Sequence, residues 1–214
     1  KGQSLPDLAL VMLGAGSSTR FNQRVKKQWL RVEETPLWLL ATQNLQQLFP
    51  FKQIIVTTTP DEHFYAQKFS GTITFVEGGA TRQESLQNAL SHVTTPYVLV
   101  SDIARPCIDQ AMLVRILSEM ENADIVVPYL PVVDTVVYEE NTINRDHVKL
   151  IQTPQLSRTE ILQKALQTST LYTDDSSAIK AMGGKIAYVL GNPEAKKLTC
   201  KEDIASIPCL KAPS

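Results

Sequence analysis

Apolar residues along this chain follow two alternating rhythms. Short continuous runs at Leu8–Leu13, Ile54–Thr57, Ile73–Val76, Tyr97–Val100 and Ile125–Val127 predict strands buried on both faces. Between them the spacing becomes helical. Leu37, Leu40, Ala41, Leu45 and Leu48 share one face, and Met112, Leu113, Ile116, Leu117 and Met120 share another, behind a capping Asp109. Thr59, Pro60 and Glu62 supply a cap, a first-turn proline and a capping-box acid, and Thr81 with Glu84 repeats that signature before Leu86, Ala89 and Leu90. Strands that alternate with helices imply a parallel sheet with right-handed crossovers.

The rhythm breaks after Pro131. Val132–Tyr138 and His147–Thr153 read as two extended arms around the polar turn Glu140–Asn144, an antiparallel hairpin that leaves the sheet. Ser157 and Glu160 predict a capped helix through Leu166, and Asp174 opens a short helix that stops at Gly183 and Gly184. Lys185–Leu190 predicts a last strand. The expectation is one α/β domain over residues 1–214, a doubly wound, mostly parallel, Rossmann-like nucleotide-binding sheet with a protruding β-arm at about 131–153. Ligands of such sheets bind at the carboxyl ends of the strands, so the loops that begin at Gly14, Thr58, Gly78 and Ser101 are expected to meet.

Composition narrows the partners. A net charge of −1 argues against nucleic acid and membrane surfaces, and 43% hydrophobic residues suffice for a large core. Three cysteines, Cys107, Cys200 and Cys209, form no C-x-x-C pair, and the three histidines lie far apart, so neither a disulfide framework nor a zinc site is expected. Cys107 is expected to be buried and inert. No apolar run approaches the roughly 20 residues of a membrane helix, and a reducing, cytoplasmic setting fits this cysteine usage.

Three stretches carry candidate chemistry. "LALVMLGAGSSTRF", Leu8–Phe21, drops from a strand into a glycine turn. Thr19 stands where a G-x-G-x-x-G fingerprint needs its third glycine, and the Walker pattern also fails, which weighs against a dehydrogenase or a P-loop NTPase. Gly14 and Gly16 still allow close backbone approach to an anion, or form a tight turn with no ligand. Leu8–Val32 contains no acid but holds Arg20, Arg24, Lys26, Lys27 and Arg31, a seat for several phosphate charges. "SDIARP", Ser101–Pro106, places Asp102 at a strand end, where a carboxylate holds magnesium, binds ribose or merely caps a turn. "GGATRQES", Gly78–Ser85, offers helix N-terminal donors with Arg82 and Ser85 close by.

These stretches, followed by "DT", "TPQ", "TDDSSA" and "KLT…EDI", run in the order seen in one family. From about Leu8 to Ile204 the chain resembles 2-C-methyl-D-erythritol 4-phosphate cytidylyltransferases, and "VKKQWLR" and "PLWL" are most similar to the cytidylyltransferase half of enzymes fused to a cyclodiphosphate synthase. The tail "CLKAPS" reads as the start of a linker. The resemblance implies a nucleotidyltransferase that joins CTP to the phosphate of methylerythritol phosphate, releases pyrophosphate and needs Mg²⁺ or another divalent cation. It implies that Gly14, Ala15 and Gly16 lie along CTP, and that Arg20 and Lys27 stabilise the attacked α-phosphate. Gly79, Arg82 and Ser85 would border cytosine and ribose. Ser101 and Asp102 would sit near the nucleotide, with Asp102 also at the metal. Arg105, Thr173 and Lys197 would hold the acceptor phosphate, joined by Thr135 and Arg145 from the arm of a second subunit in a homodimer. Arg145 and Lys197 count with Arg20 and Lys27 as the catalytic set. Ala80, Ser101, Ile103, Ser17 and Ser18 depart from the usual motifs, and Ala80 puts one ribose or base contact in question. The alternatives are a ribitol 5-phosphate cytidylyltransferase, with the same CTP loop and another acceptor pocket, and a non-catalytic nucleotide-binding domain.

Overall fold

A computed structural model describes residues 4–14, 31–32, 35–62, 71–199, 203 and 209. Its frame is an eight-stranded sheet, beside which β2 (Arg31–Val32) and β3 (Thr35–Pro36) form a separate antiparallel pair. From one edge run β5 (Thr74–Glu77), β4 (Gln53–Thr58), β1 (Leu8–Leu13) and β6 (Tyr97–Asp102), all parallel. Then comes β11 (Gln155–Arg158), antiparallel to β6 on one side and to β7 (Ile125–Pro131) on the other. β12 (Ile186–Leu190) pairs parallel with β7, and β10 (Lys149–Ile151) pairs antiparallel with its far end. The mostly parallel, helix-covered sheet is therefore as expected, with two reversed strands, β11 set into it and β10 at its edge.

Strict alternation along β1 divides the core. Leu8, Leu10 and Met12 face a layer built from Leu37, Trp38, Ala41 and Leu45 of the Leu37–Leu48 helix and from Met112, Leu113 and Ile116 of the Gln110–Ser118 helix. Ala9, Val11 and Leu13 face the opposite layer, where the Arg82–Leu90, Thr159–Ala165 and Asp175–Ala181 helices contribute Leu86, Leu162 and Ile179. Every β1 residue is buried, because both faces of the strand are covered by helices. The helix starts follow the capping pattern. Asp109 accepts from Met112 N at 2.8 Å and Thr81 from Glu84 N at 3.1 Å. Glu84 returns its carboxylate to Ala80 N, one residue before the cap, at 2.8 Å.

Two expectations are corrected. Ser157 does not cap a helix. It is a buried residue of β11, and the helix begins at Thr159 behind Arg158, which makes no side-chain cap bond. The sheet has recruited Gln155–Arg158 because β6 and β7 both offer it a hydrogen-bonding edge. The arm also differs from two long extended limbs. Its hairpin is short, β8 (Val136–Tyr138) against β9 (Asn141–Ile143), with the turn at Glu139 and Glu140, whose φ values are 47° and 67°. Lys149–Ile151 belongs to the main sheet instead, bonded to Tyr129–Pro131. The turn thus falls at the front of the expected Glu140–Asn144 stretch, of which Asn141–Ile143 pairs as a strand, and it holds two glutamates in a left-handed conformation that favours glycine, asparagine and aspartate.

The cysteines give a third correction. Cys107 and Cys209 form a disulfide with a Cα–Cα separation of 5.6 Å. They lie 102 residues apart in sequence, a spacing that carries no pairing signal.

Candidate active site

Backbone bonds draw the expected loops together at the carboxyl ends of the strands. Gly14 N donates to Thr57 Oγ1 at 3.0 Å, Gly78 N to Thr58 O at 2.7 Å, and Ile103 N to Leu13 O at 3.4 Å. A side chain at Gly14 would run into Ile103 Cδ1, so any larger residue here requires that buried side chain to shift. Gly79 has the same constraint. An added Cβ would lie 2.6 Å from Glu84 Cβ, in the space the capping glutamate occupies. Ala15, Gly16, Arg20 and Lys27 lie outside the described residues.

Asp102 ends β6 at the middle of this rim. Its backbone N donates to Thr153 Oγ1 at 3.2 Å, and its Oδ1 accepts from Ala104 N at 2.8 Å, which fixes the carboxylate plane. Oδ2 remains 3.6 Å from Lys197 Nζ. Arg105 lies one turn further on, with its Nη1 donating to Ala195 O at 2.8 Å and its Nη2 to Ile151 O at 3.4 Å. Burial lowers the Arg105 pKa, an effect Asp102 partly offsets. Arg82 reaches the rim from the other flank and meets buried Asp175 Oδ1 at 2.7 Å. Burial alone would lower its pKa, but Asp175, with help from Asp102 and Asp174, raises it on balance.

Arg82, Arg105 and Lys197 thus lie about Asp102, with Asp174 and Asp175 beside Arg82. Arg105 and Lys197 carry donors that a phosphate can engage, whereas Arg82 is largely committed to Asp175. The other expected residues divide. Ser85 is buried and spends its hydroxyl inside the turn, accepting from Gly79 N and donating to Thr81 O, both at 3.0 Å. Thr173 is exposed at the mouth of the Asp175–Ala181 helix. Ser101 is fully buried with no hydrogen-bond partner for its Oγ, so the fold does not bring it to the rim. Thr135 and Arg145 are exposed on the arm, where Arg145 Nη1 donates to Val133 O at 2.8 Å.

Three supporting residues had no role assigned from the sequence, although Thr153 and Gln155 fall in the "TPQ" motif. Gln152, almost fully buried, clamps the segment that carries Lys197. Its Nε2 donates to Asn192 O at 2.9 Å, and its Oε1 accepts from Asn192 N at 3.0 Å. Gln155 donates to Asp174 Oδ1 at 2.8 Å and so aims the "TDDSSA" loop. Thr153 holds Asp102. A polar run, Gln152 to Gln155, wedged beside apolar β10 was the available signal, since such residues are rarely buried without a task.

A reversed strand set into a mostly parallel α/β sheet, with glycine turns and an aspartate flanked by cations at its carboxyl rim, defines a nucleotide-binding domain of the nucleotidyltransferase class. The family model for IspD, 2-C-methyl-D-erythritol 4-phosphate cytidylyltransferase, matches residues 8–210, and the chain belongs to that family. It is 52% identical over 208 residues to the bifunctional enzyme IspD/IspF of Aliarcobacter butzleri, covering 97% of this chain and 56% of that protein. It is 54% identical over 201 residues to its counterpart in Campylobacter lari, covering 94% of this chain and 54% of that one. Among solved structures, the bifunctional IspDF of Campylobacter jejuni superposes with a TM-score of 0.89 at 46% identity, over 94% of this chain and 54% of that one. The 2-C-methyl-D-erythritol 4-phosphate cytidylyltransferase of Thermus thermophilus gives a TM-score of 0.79 at 28% identity, over 94% of this chain and 96% of that one. The chain spans about half the length of the curated relatives it matches.

Proposed function

We propose that this chain transfers a cytidylyl group from CTP to the phosphate of 2-C-methyl-D-erythritol 4-phosphate, in isoprenoid precursor synthesis. The observation that carries this reading is the convergence of Asp102, Lys197, Arg105 and Arg82 beside the Gly14 and Gly79 turns, in a chain of this family. An acceptor phosphate oxygen attacks the α-phosphorus of CTP. The bond from that phosphorus to the bridging oxygen breaks, and pyrophosphate leaves with the electron pair. A phosphomonoester is largely dianionic near pH 7, since its second pKa is about 6, so the nucleophile needs no general base. The difficulty is repulsion between two anions, and positioned cations meet it. Arg105 and Lys197 orient the acceptor phosphate and Arg82 borders the nucleoside. Arg20 and Lys27 are assigned to the α-phosphate.

Magnesium suits the donor set. Mg²⁺ is usually held by one or two carboxylates together with substrate phosphates and waters, and Asp102 supplies one carboxylate at the rim. Bound there, the ion would neutralise phosphate charge. Asp102 would hold it, with Lys197 Nζ 3.6 Å from its Oδ2. Thr135 and Arg145 are assigned to the acceptor phosphate of a second subunit. The arm that carries them exposes Val133 and Val137 at 77% and 62%, apolar surface that a homodimer would cover. Among the described residues no helix is long and apolar enough to cross a membrane, and the cytoplasm, where CTP is made, is the proposed setting. Fusion to an IspF domain is proposed by likeness to the bifunctional relatives.

Pyrophosphate release tests the assignment. Purified chain is supplied with Mg²⁺, each of CTP, ATP, GTP and UTP, and either methylerythritol phosphate or ribitol phosphate. Release only with CTP and methylerythritol phosphate, with the matching CDP-alcohol by mass, is the expected result. Release with ribitol phosphate instead would overturn the acceptor. CTP binding without release under any pair would overturn the reaction.

A further inference from the structure

The Cys107–Cys209 disulfide joins the loop that follows Asp102 to a residue of the tail. Residues 191–199 run across the loop that follows Asp102 and are already tied to it at three points. Arg105 Nη1 donates to Ala195 O at 2.8 Å, Leu198 N to Ala104 O at 2.7 Å, and Lys197 Nζ lies 3.6 Å from Asp102 Oδ2. Ala195 and Leu198 are fully buried in the same apolar cluster as Ala104, Cys107 and Ile108. The disulfide adds a covalent tie further along the tail. Its two ends differ. Cys107 is 8% exposed, and Asn44 Nδ2 donates to the carbonyls on both sides of it, Pro106 O at 3.0 Å and Ile108 O at 2.9 Å. Cys107 is therefore a fixed post. Cys209 is exposed and belongs to the tail.

We propose that Cys107 and Cys209 are a reversible thiol–disulfide pair that locks the tail onto the Asp102–Ile108 loop and so controls how firmly Arg105 and Lys197 are held. The oxidant is a low-molecular-weight disulfide of the glutathione class. Exposed Cys209, as thiolate, attacks one sulfur of that disulfide and releases one small thiol. Cys107 then gives up its proton, attacks the mixed disulfide and releases the second. Two protein thiols become one disulfide as one small disulfide becomes two thiols, so electrons and protons balance. The Cα–Cα separation of 5.6 Å lies within the ordinary range, so the bonded pair has the backbone spacing of a regular disulfide. A cytosolic pair of this kind acts as a sensor rather than a permanent staple. The effect on acceptor binding rests on the cytidylyl-transfer reading, whereas the covalent pairing does not.

The purified chain is equilibrated with oxidised glutathione or with excess dithiothreitol, then assayed for free thiols, disulfide-linked peptides and KM for the acceptor. The chain has three cysteines, so reduction exposes three thiols, and the pair leaves one after oxidation. We expect a Cys107–Cys209 linked peptide and an acceptor KM about fivefold lower in the oxidised form, at the low end of site-to-site coupling. Cys209→Ser should match the reduced chain under both conditions, and Cys200→Ser should keep the full response. Three thiols persisting after oxidation, a link through Cys200, or an unchanged KM in a fully linked chain would each overturn the proposal. If no substrate pair turns over, the function proposed above fails, while thiol count and peptide map still decide the pairing.

Discussion

Arg82 and Asp175 offer a direct test of how the site is held. The pair is asymmetric, because the Asp175 side chain is 3% exposed and that of Arg82 36%. At an effective dielectric of about 20 and a charge separation near 4 Å, the gross attraction is roughly 4 kcal/mol. Half-open Arg82 recovers part of that from water once the pair is broken, whereas Asp175 does not. Removing one member of a buried pair costs about 3–5 kcal/mol. Asp175, however, lies in the first turn of the Asp175–Ala181 helix, whose free N–H groups and dipole favour a carboxylate there by about 0.3–1 kcal/mol. Arg82→Met should therefore destabilise the chain by about 2 kcal/mol. At this length that lowers the apparent Tm by roughly 4–8 °C, read by circular dichroism. Asp175→Asn, which removes the charge and keeps an acceptor, should cost about 1 kcal/mol. The double variant should fall little below Asp175→Asn alone, since Arg82 then leaves no buried charge behind. Additive single effects, or an Arg82→Met midpoint within about 1 °C of wild type, would refute this account of the pair.

Three further outcomes follow from the same geometry. Gly14→Ala forces a methyl group into Ile103 and should cost about 1–3 kcal/mol by denaturant unfolding, with Ile103→Val restoring much of the loss; no rescue would mean that the turn adapts some other way. Gln152→Leu strips Asn192 of its amide partners and loosens the Lys197 segment, so acceptor KM should rise more than kcat falls, and an unaltered KM would remove Gln152 from the positioning role. Asp102→Asn keeps an oxygen for Ala104 N but loses the charge, and turnover at saturating Mg²⁺ should drop by about 10²–10³ with little change in Tm; full turnover would place the metal elsewhere.

Elements that declare themselves locally were legible in the chain. The continuous apolar runs became β1, β4, β5, β6 and β7, and Thr81, Asp109 and Asp174 cap the helices they were expected to cap. Each of these signals is carried by residues within one turn or one strand of each other, so no distant partner is needed to interpret it. The glycine turns, Asp102, Arg105, Arg82 and Lys197 were likewise visible as residue types at strand ends or loop positions, and the order of motifs matched one family.

Tertiary structure decided the rest. Ser157 carries a cap-like pattern, yet the edges of β6 and β7 claimed Gln155–Arg158 as a strand, because backbone groups buried in a sheet must all be paired. Lys149–Ile151 was drawn out of the arm in the same way, to complete the end of β7. Ser101 and Asp102 are neighbours in sequence, but the two-residue period of a strand turns one into the core and the other to the rim. The clamp of Gln152 on Asn192 and the bond between Cys107 and Cys209 join residues 40 and 102 positions apart. Sequence fixes which groups such a contact can use, but only the folded chain brings them within reach, since closing so long a loop is opposed by entropy until the sheet has formed.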